Sequence, residues 1–86
     1  MSKPGEIGAN QILIMRRMHN FYLKRGVGET FTLKNISDAL DIDRPSVHRT
    51  LSRLIKRGFC EKIGKGQYQI TSDHIRLFKE KHGEYI

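Results

Sequence analysis

The chain has a single cysteine, Cys60, among its 86 residues. One thiol excludes an internal disulfide and cannot supply a cysteine-rich zinc site. Long apolar runs are missing too: none approaches the roughly 20 residues that a membrane-spanning helix needs. Lys3 near the start is followed by no signal-type apolar core and cleavage site. These absences predict a cytoplasmic protein with no membrane partner. His19, His48, His74 and His82 show no metal-ligand spacing, so no metal or other cofactor is expected. Gly64-Lys65-Gly66 is too short for a phosphate loop and precedes a strand-like run rather than a helix. Cys60 has no activating neighbourhood in sequence, and no paired acids stand out. An enzyme is not expected.

Acidic residues are also scarce, nine against sixteen lysines and arginines, for a net charge of +7. The imbalance is local. Residues 1–43 hold six basic and five acidic residues, and residues 66–86 hold three of each. Residues 44–65 hold seven basic residues (Arg44, Arg49, Arg53, Lys56, Arg57, Lys62, Lys65) against only Glu61, so six of the seven net charges sit there. A concentrated basic field attracts a polyanion, and nucleic acid is the commonest in a cell. A solvated basic face without a partner is the alternative. With 37% hydrophobic and 29% charged residues, the chain suits one small globular domain rather than a disordered segment.

Pro4, Gly5 and Gly8 make residues 1–9 a flexible entry. Asn10 is placed to cap a helix that runs to about Arg25 and stops at Gly26. Ile14, Met18 and Tyr22 line up on it, with Met15 and Phe21 beside them. Ile12, His19 and Leu23 broaden the apolar arc, while Arg16, Arg17, Asn20 and Lys24 fall opposite. Residues 26–29 read as a loop and Phe31 as a short extended bridge. Thr32 caps a helix from Leu33 to about Leu40, with Leu33, Ile36, Ala39 and Leu40 inward. Asp41-Ile42 forms a tight turn, and Asp43 caps a third helix that tolerates Pro45 in its first turn and ends at Gly58. Phe59 to Ile63 and Gln67 to Thr71 are strand-like around Gly64-Lys65-Gly66, a hairpin signal. Thr71 or Ser72 caps a last helix to about His82, with Ile75 and Phe78 inward. The fold class is mainly α with a small β-hairpin (α+β).

Residues 32–57 have the layout of a helix-turn-helix: a short capped helix, a tight turn, and a longer basic helix. On that third helix Val47, Leu51 and Leu54 cluster on one side, with Ile55 at the edge. Pro45, Ser46, Arg49, Ser52, Arg53 and Lys56 lie on the other. An arginine can donate two parallel hydrogen bonds to guanine O6 and N7, and serine can serve several base edges. Ser46 and Arg49 are the first candidates for base edges, with His48 and Arg53 next. Pro45 and Ser46 are short enough to let the backbone approach. Arg44, Ser52 and Lys56 suit phosphates, which fix register without reading sequence. Each residue alone has a solvated helix surface as its alternative; the face as a whole is harder to explain so. Lys65 at the hairpin tip, and Lys62 before the turn, suit a neighbouring phosphate or minor groove, or else merely solubilise an ordinary glycine hairpin.

The run from Ser46 to Phe59, followed by Gly66-Gln67-Tyr68-Gln69-Ile70-Thr71, resembles the winged helix of bacterial and archaeal regulators. It looks most like the DNA-binding domain of the IclR family and is similar to MarR-type domains. Residues 31–40 fit the same pattern, and the resemblance covers about residues 10–71. It implies a winged helix-turn-helix over 10–71, with a recognition helix at 44–57 in the major groove and a wing at 60–70 on adjacent backbone. The expected function is sequence-specific regulation of transcription on double-stranded DNA. The large effector domain of IclR proteins has no counterpart in these residues, and the segment 72–86 matches neither family's ligand-sensing part, so no small-molecule effector is evident. A homodimer is a hypothesis resting on the broad arc of the first helix and on Ile75, Leu77 and Phe78 in the terminal one. The alternative function is a winged-helix protein-interaction module in a larger nucleic-acid-processing assembly; an RNA-binding winged helix is a third.

Overall fold

The computed structural model describes residues 8–25 and 30–85. Most of the flexible entry and the loop expected at 26–29, including the Gly26 stop, lie outside the described residues. Helix α1 spans Ala9–Arg25. It starts one residue before the expected cap: the first backbone bond runs from the Ile12 amide to the Gly8 carbonyl at 3.1 Å, so Gly8 holds the cap position and Asn10 is helical. Ile14, Met15 and Met18 are buried, as their spacing requires, and Phe21 and Tyr22 are partly covered. Leu23 is not part of that arc; it is 67% exposed.

Strand β1 (Thr30–Thr32) leads directly into α2 (Leu33–Leu40), whose N-cap Thr32 accepts a hydrogen bond from the Asn35 amide at 3.0 Å. Ile36 is buried and Leu33 and Leu40 are half-buried, but Ala39 faces solvent and Ser37 takes an inner place instead. The reason is the turn that follows. The Ser37 carbonyl accepts from the amides of Asp41 and Ile42, and its hydroxyl donates to the Ile42 carbonyl. Asp41 itself sits in the left-handed region at φ 54°. Asp43 then caps α3 (Arg44–Lys56), accepting from the Ser46 amide at 3.1 Å and the Ser46 hydroxyl at 2.8 Å.

Val47, Leu51 and Leu54 are fully buried on the inner side of α3, and Thr50 joins them with its hydroxyl donated to the Ser46 carbonyl at 2.8 Å. The helix closes by a Schellman arrangement: the Gly58 amide donates to Ile55 and the Phe59 amide to Leu54, both at 3.0 Å. Gly58 needs its φ of 83°, and a Cβ there would crowd the Leu77 side chain at 3.2 Å.

The hairpin is β2 (Glu61–Gly64) and β3 (Gln67–Gln69), with Gly64 inside β2 rather than in the loop. Among the described residues the sheet has three strands, in the order β1-β3-β2, with antiparallel neighbours. Phe31 is opposite Tyr68, and both are buried. In β2 the register slips: Lys62 pairs with Tyr68, but Gly64 pairs with Gln67, which leaves Ile63 in a bulge and 45% exposed.

Helix α4 (Ser72–His82) begins with a capping box in which His74 replaces the usual acid. Its Nδ1 accepts from the Thr71 amide at 3.0 Å. Ile75 and Phe78 enter the same core as α1 and α3, and Phe78 meets Phe59 edge-to-face at 5.1 Å. The inward residues of α4 are therefore used by the chain's own core. A 3-10 turn, Gly83–Tyr85, follows. Among the described residues no helix is long and apolar enough to cross a membrane.

Burial holds the His19 ring below its ordinary range of 6.5, and the charge of Lys79 acts in the same direction. The unfolded chain therefore binds that proton at higher pH than the folded chain does. The stability from the neutral ring is present above about pH 6.5 and is lost as pH falls through the lower folded value. Melting temperature should fall between about pH 7 and about pH 5, and His19→Gln should flatten that dependence. An equally steep fall in the variant would assign the effect to other groups.

Candidate nucleic-acid interface

The outer side of α3 is held by its two ends. Asp43 fixes the first turn, and Ser46 holds the Asp43 carboxyl below its usual range, first through its hydroxyl and then through its amide. The nearby charge of Arg49 acts the same way. The Ser37 turn sets the angle at which α3 leaves α2, and its buried aliphatic row seats it on the core. Side chains on the opposite side then project as a unit.

Arg44, Pro45, His48, Arg49, Arg53 and Lys56 are all exposed on that side, and Ser46 and Ser52 are half-buried. Among the described residues no carboxylate forms a salt bridge with Arg44, Arg49, Arg53 or Lys56; the ion pair present joins Arg76 and Asp73 on α4. These four cations, with no salt-bridge partner among the described residues, are available to an outside anion. The two serines differ from the arginines here. The Ser46 hydroxyl donates to the Asp43 carboxylate, and the Ser52 hydroxyl donates to the His48 carbonyl at 3.0 Å. Each keeps lone pairs, so toward a base either can act as an acceptor, while the arginines supply the free donors.

The structure places Lys62 and Lys65 away from α3 in sequence but ties their hairpin to the same framework. Both are exposed. The turn between β2 and β3 is reduced to Lys65-Gly66, with Gly66 at φ 69°. The Gly66 carbonyl accepts from the Leu33 amide at 3.1 Å, one of the orphan donors at the start of α2. This bond anchors the hairpin tip to the helix that supports α3. Sequence patterning missed it, together with the bulge at Ile63, because both depend on how β1 and β2 register against β3. The nearest signal was Phe31, an apolar residue stranded between a loop and a cap.

Burial pushes the Cys60 thiol up to about 12, with Glu61 adding to the effect, so the thiolate is not available at neutral pH. Among the described residues no group of three or more His, Cys, Asp or Glu is placed to hold a metal ion.

Comparison with known proteins agrees with this geometry. The family profile described as the IclR helix-turn-helix domain matches residues 22–64, which run from the end of α1 through α2 and α3 to β2. Comparison with curated proteins finds no significant match. Among solved structures, the crystal structure of the reduced form of MarR from E. coli superposes with a TM-score of 0.71 at 19% identity. That superposition covers 93% of this chain and 55% of the MarR chain, so the chain spans about half the length of that structure. At this identity the likeness is one of fold: a winged helix with mixed α and β elements.

Proposed function

This chain belongs to the IclR helix-turn-helix domain family, a family of DNA-binding transcription regulators, and from that membership we propose that it binds double-stranded DNA sequence-specifically. In this reading α3 enters the major groove, and the β2–β3 wing rests on the adjacent backbone. The observation that carries it is the exposed row of Arg44, Arg49, Arg53 and Lys56, without a salt-bridge partner among the described residues, on a helix fixed at both ends. Arg49 addresses base edges together with Ser46 and His48, and Arg44, Ser52, Lys56 and the wing lysines address phosphates. The chain acts as a cytoplasmic regulator and not as an enzyme.

A homodimer is part of the proposal. Leu13, Leu23 and Tyr85 stay exposed, and Leu23 and Tyr85 border a depression of about 400 Å³ with Arg16 and Glu84. A second copy would cover apolar surface there, in place of the α4 residues that the core already uses. Two chains would then favour half-sites about one helical turn apart.

The test is a binding selection from genomic fragments, followed by titration of enriched and scrambled duplexes at one fixed salt concentration. Preference for the enriched site by about a thousandfold supports the reading. Sedimentation of the same complex reports one or two chains per duplex. Lys65→Ala should weaken enriched and scrambled duplexes alike and lower the salt slope by about 1. A wild-type chain that binds no duplex at any salt concentration sinks the proposal and favours the protein-interaction module.

A further inference from the structure

Arg53 has a second set of neighbours that the α3 surface does not account for. A cleft of about 280 Å³ is lined by Gly8, Ala9, Asn10, Gln11, Thr50 and Arg53, where the first turn of α1 meets the side of α3. The donors there are unusual. The Ile12 amide makes the first backbone bond of α1, so the amides of Ala9, Asn10 and Gln11 precede the helical ladder. Gly8 at the cap position has no side chain with which to accept from them. The start of a long helix also carries partial positive charge.

Gln11 is the independent observation. It is only 6% exposed, yet its Oε1 has no hydrogen-bond partner. A buried polar side chain in that state calls for a donor that is not yet in place. Thr50 cannot supply it, because its hydroxyl donates to Ser46. Asn10 adjoins Gln11 on the helix, and side chains one residue apart do not face each other. Among the side chains that line the cleft Arg53 remains: an exposed guanidinium with five donors and without a carboxylate partner among the described residues.

We propose that this cleft seats one phosphate of the duplex backbone, gripped between the first-turn amides of α1 and the Arg53 guanidinium. In that arrangement Gln11 Oε1 accepts one N–H of Arg53 and turns the rest of the fork toward the phosphate oxygens. Arg53 is then a phosphate ligand rather than a base reader, and Gln11 is a positioning residue. The inference rests on the duplex-binding reading above and adds a third contact, from α1, to those of α3 and the wing.

The experiment uses the full chain and a duplex of about 20 base pairs of arbitrary sequence, since a phosphate contact does not need the operator. Affinity is measured against salt concentration. Arg53→Gln should lower the slope of log K against log salt by about 1. Gln11→Met keeps the side-chain length and removes the bare acceptor; it should weaken duplex binding by about three- to tenfold without lowering the melting temperature. The same Gln11→Met change should have no further effect once Arg53 is glutamine. The amide resonances of Ala9 and Asn10 should shift on adding duplex. An unchanged slope in Arg53→Gln, or a Gln11→Met effect that persists without Arg53, overturns the proposal while leaving duplex binding intact. Amide shifts with inorganic phosphate but none with duplex also overturn it, since the cleft would then be a free-anion site. Absence of any wild-type duplex binding is a different failure, and it removes the broader reading first.

Discussion

Arg49→Ala is expected to cost roughly 1–3 kcal/mol of affinity for the preferred duplex, about five- to 150-fold, and to relax the base preference at one position. Arg49 is exposed on the outer side of α3, close enough to Asp43 for its charge to be felt there, and free of any salt bridge among the described residues. Its stem adds nothing to the core, so folding should be unaffected. A bidentate pair with guanine O6 and N7 is lost only where a guanine stands, whereas a phosphate contact is lost on every sequence. The measurement is therefore a comparison: enriched and scrambled duplexes titrated with wild type and variant at one salt concentration. A loss confined to the enriched site assigns Arg49 to a base edge. Equal losses on both would move it to the backbone, and no loss on either would remove α3 from the interface as drawn here. Arg49 and Lys65 thus separate reading from gripping, because one variant changes specificity and the other changes the salt dependence.

Phe78→Ala should destabilise the fold by about 3–5 kcal/mol. For a chain of this length total stability is on the order of 4–13 kcal/mol, so the substitution removes from roughly a quarter of it to all of it. Phe78 is fully buried, stacked edge-to-face on Phe59 just after the end of α3, in the same cluster as Ile14, Leu51 and Leu54. Removing the ring opens a cavity beneath the Schellman turn at Gly58 and loosens the end of the helix that presents the arginines. Urea unfolding followed by circular dichroism would check it. A midpoint that does not move would mean that α4 is an appendage, and the core would then have to close without it. The result also bears on assembly, since an α4 consumed internally leaves α1 and the terminal turn as the surface open to a second copy.

Much of the architecture was legible because the signals were local. Thr32, Asp43 and Thr71 each stand three residues before the amide they cap; the first two caps form as the sequence predicts, and of the pair Thr71 and Ser72 it is Thr71 that caps α4. Gly58 ends α3 because the left-handed turn it adopts is set by its own backbone freedom. The buried row Val47, Leu51 and Leu54, and the exposed arginines opposite, follow from helical geometry alone. The expectations that failed lie at helix ends. Ala39 and Ser37 exchange places because a hydroxyl can close the turn at Ile42 and a methyl group cannot. Asn10 lost the cap because the helix began at Ala9, a boundary that propensity resolves poorly.

The amino-acid order by itself therefore determined the succession of helices, the caps of α2 and α3, the stop of α3, its inward and outward sides, and the concentration of positive charge on residues 44–65. Each depends on contacts between residues a few positions apart, where backbone geometry leaves few choices. Only the tertiary structure decided that β1 joins the hairpin, that Ile63 bulges, that the Gly66 carbonyl ties the wing to Leu33, and that Gln11 lies buried in the cleft beside Arg53. Those features join segments far apart in the chain. Their register is chosen by the packing of the whole core, which no short window of sequence contains.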